Sequence, residues 1–215
     1  MTPDSEYAGK YQSIERAERY DSRHFTSLKG RIFTRYERKR LEAAFALITK
    51  GGLVLDMPCG TGRITEQLLH AGFKVLGGDI SESMLNVARR KLGHYPNLDG
   101  LKVMNGLAVP CPDKSLDGVT SIRFMCNIPY GVQKGILREF ARVCRGPIIV
   151  GFSHDSRMMR LRNVVKKALG VSVNDYPVSP ATLKEWAEEC GLSIRARKFT
   201  IPFLSEEVIV VFQVE

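Results

Sequence analysis

With 215 residues, 44% of them hydrophobic, the chain is long enough to bury the core of one domain. No apolar run reaches membrane-spanning length, and signal-peptide architecture, internal repeats and low-complexity tracts are lacking, so the expectation is a cytoplasmic globular protein. The five cysteines include no C-x-x-C pair, which argues against a zinc ribbon and for free thiols, while the formal charge of +9 raises the question of an anionic partner.

In chain order, residues 29–40 carry six basic side chains against the single acid Glu37, followed by Leu41, Ala44, Phe45 and Ile48 at helical spacing. The stretch VLDMPCGTGR comes next. Val54 and Leu55 read as the end of a buried strand, Asp56 stands at its carboxyl end, and Gly60 and Gly62 allow a tight turn close to a ligand. The run ITEQLLHAG predicts a helix stopped by Gly72. A second strand, FKVLGGD, ends in Asp79, twenty-three positions after Asp56. A carboxylate at that separation suits the two hydroxyls of a ribose. Ser81 caps the next helix, SESMLNVARRKL.

A third strand leads to Asn105 and Gly106, and a loop carrying Asp113 and Asp117 enters a fourth at LDGVTSIRF, where Asp117 reads as a structural tie. Val132, Ile136, Leu137, Phe140 and Val143 predict a helix, and PIIVGFS a buried strand. His154 to Lys167 is a second basic segment, with Arg157, Arg160, Arg162, Lys166 and Lys167 against Asp155. Ser179 and Pro180 open a helix that ends at Gly191, and IRARKFTIPF and EEVIVVFQV are two closing strands. A dinucleotide fingerprint would need a third glycine at position 65, which is Thr65.

These motifs, in this order, resemble those of the class I S-adenosylmethionine-dependent methyltransferases. The tyrosine and phenylalanine of ERYDSRHF resemble the segment ahead of the core in small-molecule enzymes of the ubiquinone and menaquinone biosynthetic type. The resemblance implies an α/β, doubly wound, Rossmann-like sheet of seven mostly parallel strands with helices on both faces and an antiparallel C-terminal strand. It also implies one domain overall, with residues 1–40 as a helical lid segment and 41–215 as the core. Pro58 stands where the family has its first glycine.

By resemblance, the backbone from Cys59 to Gly62 packs on the methionine portion of S-adenosylmethionine or the product S-adenosylhomocysteine, and Asp56 accepts from its ammonium directly or through water. Asp79 takes the ribose, Ile80 and Met84 flank the adenine, and Asn105, in place of an acid, accepts from the adenine amine beside Gly106. Arg123 and Met125 border the cofactor, and Tyr20, Arg23 and Phe25 close over it. The string Asn127, Ile128, Pro129, Tyr130 looks like the signature of RNA adenine methyltransferases, yet it lies ten positions beyond Asp117, where the small-molecule branch has the entrance to its fourth helix.

An in-line methyl displacement requires chiefly alignment of the acceptor and no metal. Should the acceptor be a hydroxyl, His154 is the best placed of the four histidines to act as base, although a surface loop position suits it better. The resulting expectation is methyl transfer to a small-molecule acceptor, anionic or quinone-like. An RNA methyltransferase using the basic segments and a non-catalytic cofactor-binding protein are the alternatives.

Overall fold

The computed structural model describes residues 28–155, 160, 163–165, 168–170, 176–200 and 207–215. Tyr20, Arg23, Phe25, Arg157, Arg162, Lys166 and Lys167 lie outside them. Helix α1 (Leu28–Phe45) precedes strand β1 (Leu53–Asp56), helix α2 (Arg63–His70), β2 (Lys74–Asp79), α3 (Glu82–Leu92), β3 (Leu98–Val103) and β4 (Gly118–Ser121). A short 3-10 turn (Met125–Asn127) leads into α4 (Tyr130–Val143), then β5 (Pro147–Ser153), α5 (Pro180–Glu189), β6 (Leu192–Phe199) and β7 (Glu207–Val214).

The seven strands form one sheet in the order β3-β2-β1-β4-β5-β7-β6. β1 to β5 are parallel, and β7 runs antiparallel to both β5 and β6. The expected architecture is therefore the observed one. Chain direction across the sheet reverses between β1 and β4, and such a switch opens a crevice at the carboxyl ends of the strands.

Strand periodicity sorts the side chains onto two faces. Leu55, Leu76, Ile148, Val150, Phe152, Val208, Val210 and Phe212 pack with α4 and α5 through Leu137, Phe140, Leu183 and Trp186. Val54, Val75, Ile149, Ile209 and Val211 face the other way, against Leu41 and Phe45 of α1 and Leu68 and Leu69 of α2. The central strands are buried on both sides, which is why they read as continuous apolar runs.

Local signals fix the ends. The Ser81 hydroxyl accepts from the Met84 amide at 3.3 Å, and Ser179 does the same for Thr182 with Pro180 in the first turn. Asp117 is the expected tie: it accepts from the Leu53 amide at 2.8 Å, at the entrance of β1, and from Arg145. Helix α1 is continuous from Leu28 to Phe45, so the division drawn at residue 40 falls inside it. Of the basic residues on α1, Arg35, Arg38 and Lys39 are exposed, and Arg38 pairs with Glu42 one turn on. No helix among the described residues is long and apolar enough to cross a membrane.

Candidate cofactor site

A cavity opens at the carboxyl ends of β1, β2 and β4. Its floor is the turn after β1. The Met57–Pro58 peptide is cis, the Cys59 amide donates to the Gly78 carbonyl at 2.7 Å, and Gly60 and Gly62 take left-handed backbone angles, with φ of 54° and 87°. Gly60 is open, with no atom within 4 Å of where a Cβ would stand, whereas a Cβ on Gly62 would meet Leu92 Cδ1 at 2.4 Å. The first glycine keeps the backbone accessible to a ligand, and the second lets the start of α2 pack on α3.

Asp79 lies beside this turn, 6% exposed and in the cavity wall. Its Oδ2 accepts from the Gly60 amide at 2.9 Å and its Oδ1 from the Ser81 amide at 2.8 Å. Burial raises its pKa, and these amide donors oppose the rise. Ile80, Met84, Met104 and Ile136 give this end of the cavity apolar walls, and Asn105 and Gly106 complete it. The Asn105 side-chain oxygen already accepts from the Leu107 amide at 2.9 Å, in a local turn.

Asp56 lies behind the turn. It is 1% exposed and is not among the residues lining the cavity. Thr65 donates to one carboxylate oxygen at 2.7 Å and Thr120 to the other at 2.9 Å, tying β1 to α2 and β4. Burial pushes its pKa up to about 6, with the two hydroxyls holding it back. Cys59 lines the cavity as a neutral thiol, because burial and then the charges of Asp56 and Asp79 raise its pKa well above the ordinary value.

The opposite wall, at the end of β4, is cationic. Arg63 and Arg123 line the cavity, and both pair with Glu37 of α1, which is fully buried. Arg123 adopts φ of 60°, a left-handed angle that is uncommon outside glycine, and the Phe33 ring lies 4.5 Å from its guanidinium carbon. Phe124 and Asn127 also line this end, the Asn127 amide donating to the Arg123 carbonyl at 3.2 Å.

The structure thus brings Pro58, Cys59, Gly60, Asp79, Ile80, Met84, Asn105, Gly106 and Arg123 to one cavity. Gly62 supports it from below. Met125 is fully buried in the core instead, and its neighbour Phe124 takes the lining position. His154 sits past β5 with its ring edge-on to Phe199 at 5.2 Å and does not line the cavity; burial and the charge of Arg197 lower its pKa. Glu37, Arg63, Met104 and Phe124 were not expected there. Glu37 was detectable, since it lies one turn before Leu41 on the stripe that continues through Ala44 and Phe45.

The residues present fit S-adenosylmethionine. An acceptor carboxylate for a diol and apolar walls for a purine lie at the β2 end, an open glycine turn lies in the middle, and a cationic wall for a carboxylate lies at the β4 end. The described cavity-lining side chains that titrate are Cys59, Arg63, Asp79 and Arg123, so none of them offers an accessible histidine, lysine or tyrosine as a base.

A methyltransferase domain model matches residues 54–146. The demethylmenaquinone methyltransferase of Tropheryma whipplei is 31% identical over 153 residues, and that stretch covers 66% of this chain and 62% of the relative. The ubiquinone/menaquinone biosynthesis C-methyltransferase of Pseudoalteromonas translucida is 42% identical over 88 residues, covering 38% of this chain and 35% of that protein. The magnesium protoporphyrin IX methyltransferase of Synechocystis PCC 6803, crystallised with S-adenosylhomocysteine, superimposes with a TM-score of 0.81 over 99% of this chain and 100% of its own at 16% identity, a likeness of fold. Residues 54–146 thus match a methyltransferase domain, the chain has the fold of a solved methyltransferase, and it spans less than two thirds of the length of the curated relatives it first matches.

Proposed function

We propose that the chain transfers a methyl group from S-adenosylmethionine to a small, quinone-like acceptor. The observation that carries the cofactor half is Asp79, a buried carboxylate in the cavity wall that is hydrogen-bonded to the Gly60 amide of the glycine turn. In this reading Asp79 accepts from the ribose hydroxyls, and Ile80, Met84 and Met104 sandwich the base with Asn105 and Gly106 at its edge. The turn from Cys59 to Gly62 lies along the amino-acid chain, and Asp56 holds β1, α2 and β4 in register from behind. When bound, the sulfonium supplies an electrophilic methyl with a neutral thioether as leaving group. Tyr20, Arg23 and Phe25 are proposed as the lid.

The acceptor half rests on the relatives named for quinone substrates and on the lining. With Ile122, Phe124, Ile128, Val132 and Ile136 around the cavity and no described base in it, the chain's contribution is to exclude water and align an acceptor that is already nucleophilic. An electron-rich hydroquinone ring meets that requirement. Transfer of labelled methyl from S-adenosylmethionine to a panel of naphthoquinols and benzoquinols tests the reading. Labelling of structured RNA alone, with binding that falls steeply as salt rises, would replace it with the nucleic-acid reading. Cofactor binding without labelling of either class would favour a non-catalytic role.

A further inference from the structure

The cationic wall owes its arrangement to a residue that does not reach the cavity. Glu37 is fully buried on α1 and accepts from Arg63 through Nη1, with Nη2 3.4 Å from its Oε1, and from Arg123 Nε at 3.0 Å. Arg63 belongs to α2 and Arg123 follows β4, so a single carboxylate joins three separate parts of the chain. Glu207 of β7 is another acid close to these guanidiniums, and Thr200 donates to it at 3.0 Å. Burial and the charge of Glu37 push the Glu207 pKa up to about 7, against the pull of Arg123 and Arg63. Two guanidiniums thus face two carboxyl groups, and burial disfavours the charge on the Glu207 one.

We propose that Glu37 is a positioning residue: it holds Arg63 and Arg123 side by side as a preorganised cationic wall for the carboxylate of the cofactor's amino-acid end. The proposal rests on the cofactor reading above. Asp79 and the apolar walls fix the nucleoside at the ends of β2 and β3, and β1 lies between β2 and β4 in the sheet. The other end of an extended cofactor is thereby directed to β4, where Arg123 stands. Guanidiniums are planar forks whose affinity for a carboxylate depends on orientation. Two of them left unbalanced in a buried setting would repel one another, and Glu37 prevents this.

Calorimetry with S-adenosylhomocysteine and with 5′-methylthioadenosine, which keeps the adenosine and thioether but lacks the amino-acid end, separates positioning from support of the fold. Glu37→Gln should weaken S-adenosylhomocysteine binding about 10-fold and leave 5′-methylthioadenosine within about 2-fold. Charge alone predicts the opposite sign, because the variant makes the wall more positive. Arg63→Met and Arg123→Met should show the same selective loss, and they carry the comparison if Glu37→Gln does not fold. Equal weakening of both ligands, or tighter binding of S-adenosylhomocysteine by Glu37→Gln, overturns the proposal and leaves the cofactor reading standing. A native chain that binds neither ligand removes both.

Discussion

The Gly60 amide donates to Oδ2 of Asp79 at 2.9 Å, so the carboxylate that ends β2 is also the anchor of the turn that ends β1. Replacing Asp79 should therefore act twice, removing the acceptor proposed for the ribose and releasing the glycine turn. Asp79→Ala should weaken S-adenosylhomocysteine binding by about 1 to 3 kcal/mol. Because burial raises the Asp79 pKa, the native chain should lose affinity on acidification at a higher pH than an ordinary carboxylate would dictate. Titrations at a series of pH values check both. Affinity in the alanine variant that still falls with pH in the same way would show that another group is responsible.

Gly62 is the turn position at which a side chain should be least tolerated. Its φ of 87° strains any other residue, and an added Cβ would lie 2.4 Å from Leu92 Cδ1. Gly60, with φ of 54° and open space around it, should suffer the backbone cost alone, about 1 kcal/mol. Urea denaturation should accordingly rank Gly62→Ala below Gly60→Ala in stability by at least about 1 kcal/mol. Ligand binding should show the reverse emphasis, because Gly60 lines the cavity and Gly62 does not.

What was legible in the sequence was what is local. A strand that reads as an apolar run, a glycine turn and a capped helix announce themselves within ten residues, and the sheet, the turn and Asp79 all come from such signals. Pairings across the chain leave no comparable trace. Arg63 and Arg123 stand 26 and 86 positions from Glu37, which therefore read as one acid on a basic helix face. Its place on the apolar stripe was the available clue, since an acid on a core-facing stripe needs buried partners. Asp56 shows the converse. Its position suggested a ligand contact, and nothing local announced the ties it makes to Thr65 and Thr120, 9 and 64 positions away. Met125 turns into the core and Phe124 lines the cavity because a 3-10 turn follows β4 and no strand-like alternation continues there.

Asp56→Asn is the contrast to Asp79→Ala. An amide at this position can accept from one threonine hydroxyl and donate to the other, so the ties to α2 and β4 survive. S-adenosylhomocysteine affinity should change by less than for Asp79→Ala. The pH dependence of stability should change more. The native pKa is raised from 3.8 to about 6, so the protonated form is the favoured one, and its contribution is complete below pH 3.8 and lost as pH rises to about 6. The asparagine variant, lacking that loss, should gain on the native chain across this window, by about 1 to 3 kcal/mol at its upper end. A stability difference that is flat across the window would mean that Asp56 is not perturbed as described.

Glu207 should behave likewise in a higher window. Burial and the neighbouring charge of Glu37 raise its pKa from 4.5 to about 7, so stability held by the neutral form below pH 4.5 drains away as pH climbs to about 7. Glu207→Gln keeps an acceptor for Thr200 and cannot ionise. Its advantage over the native chain should be absent near pH 4, grow through the window and level off above pH 7 at about 1 to 3 kcal/mol. The same measurement made on Glu37→Gln supplies the coupling. With the Glu37 charge gone, Arg63 and Arg123 face Glu207 alone, its pKa should fall, and the benefit of Glu207→Gln at pH 8 should shrink or change sign. An undiminished benefit in that background would show that desolvation alone sets the Glu207 pKa, and that the four charges do not act as one cluster.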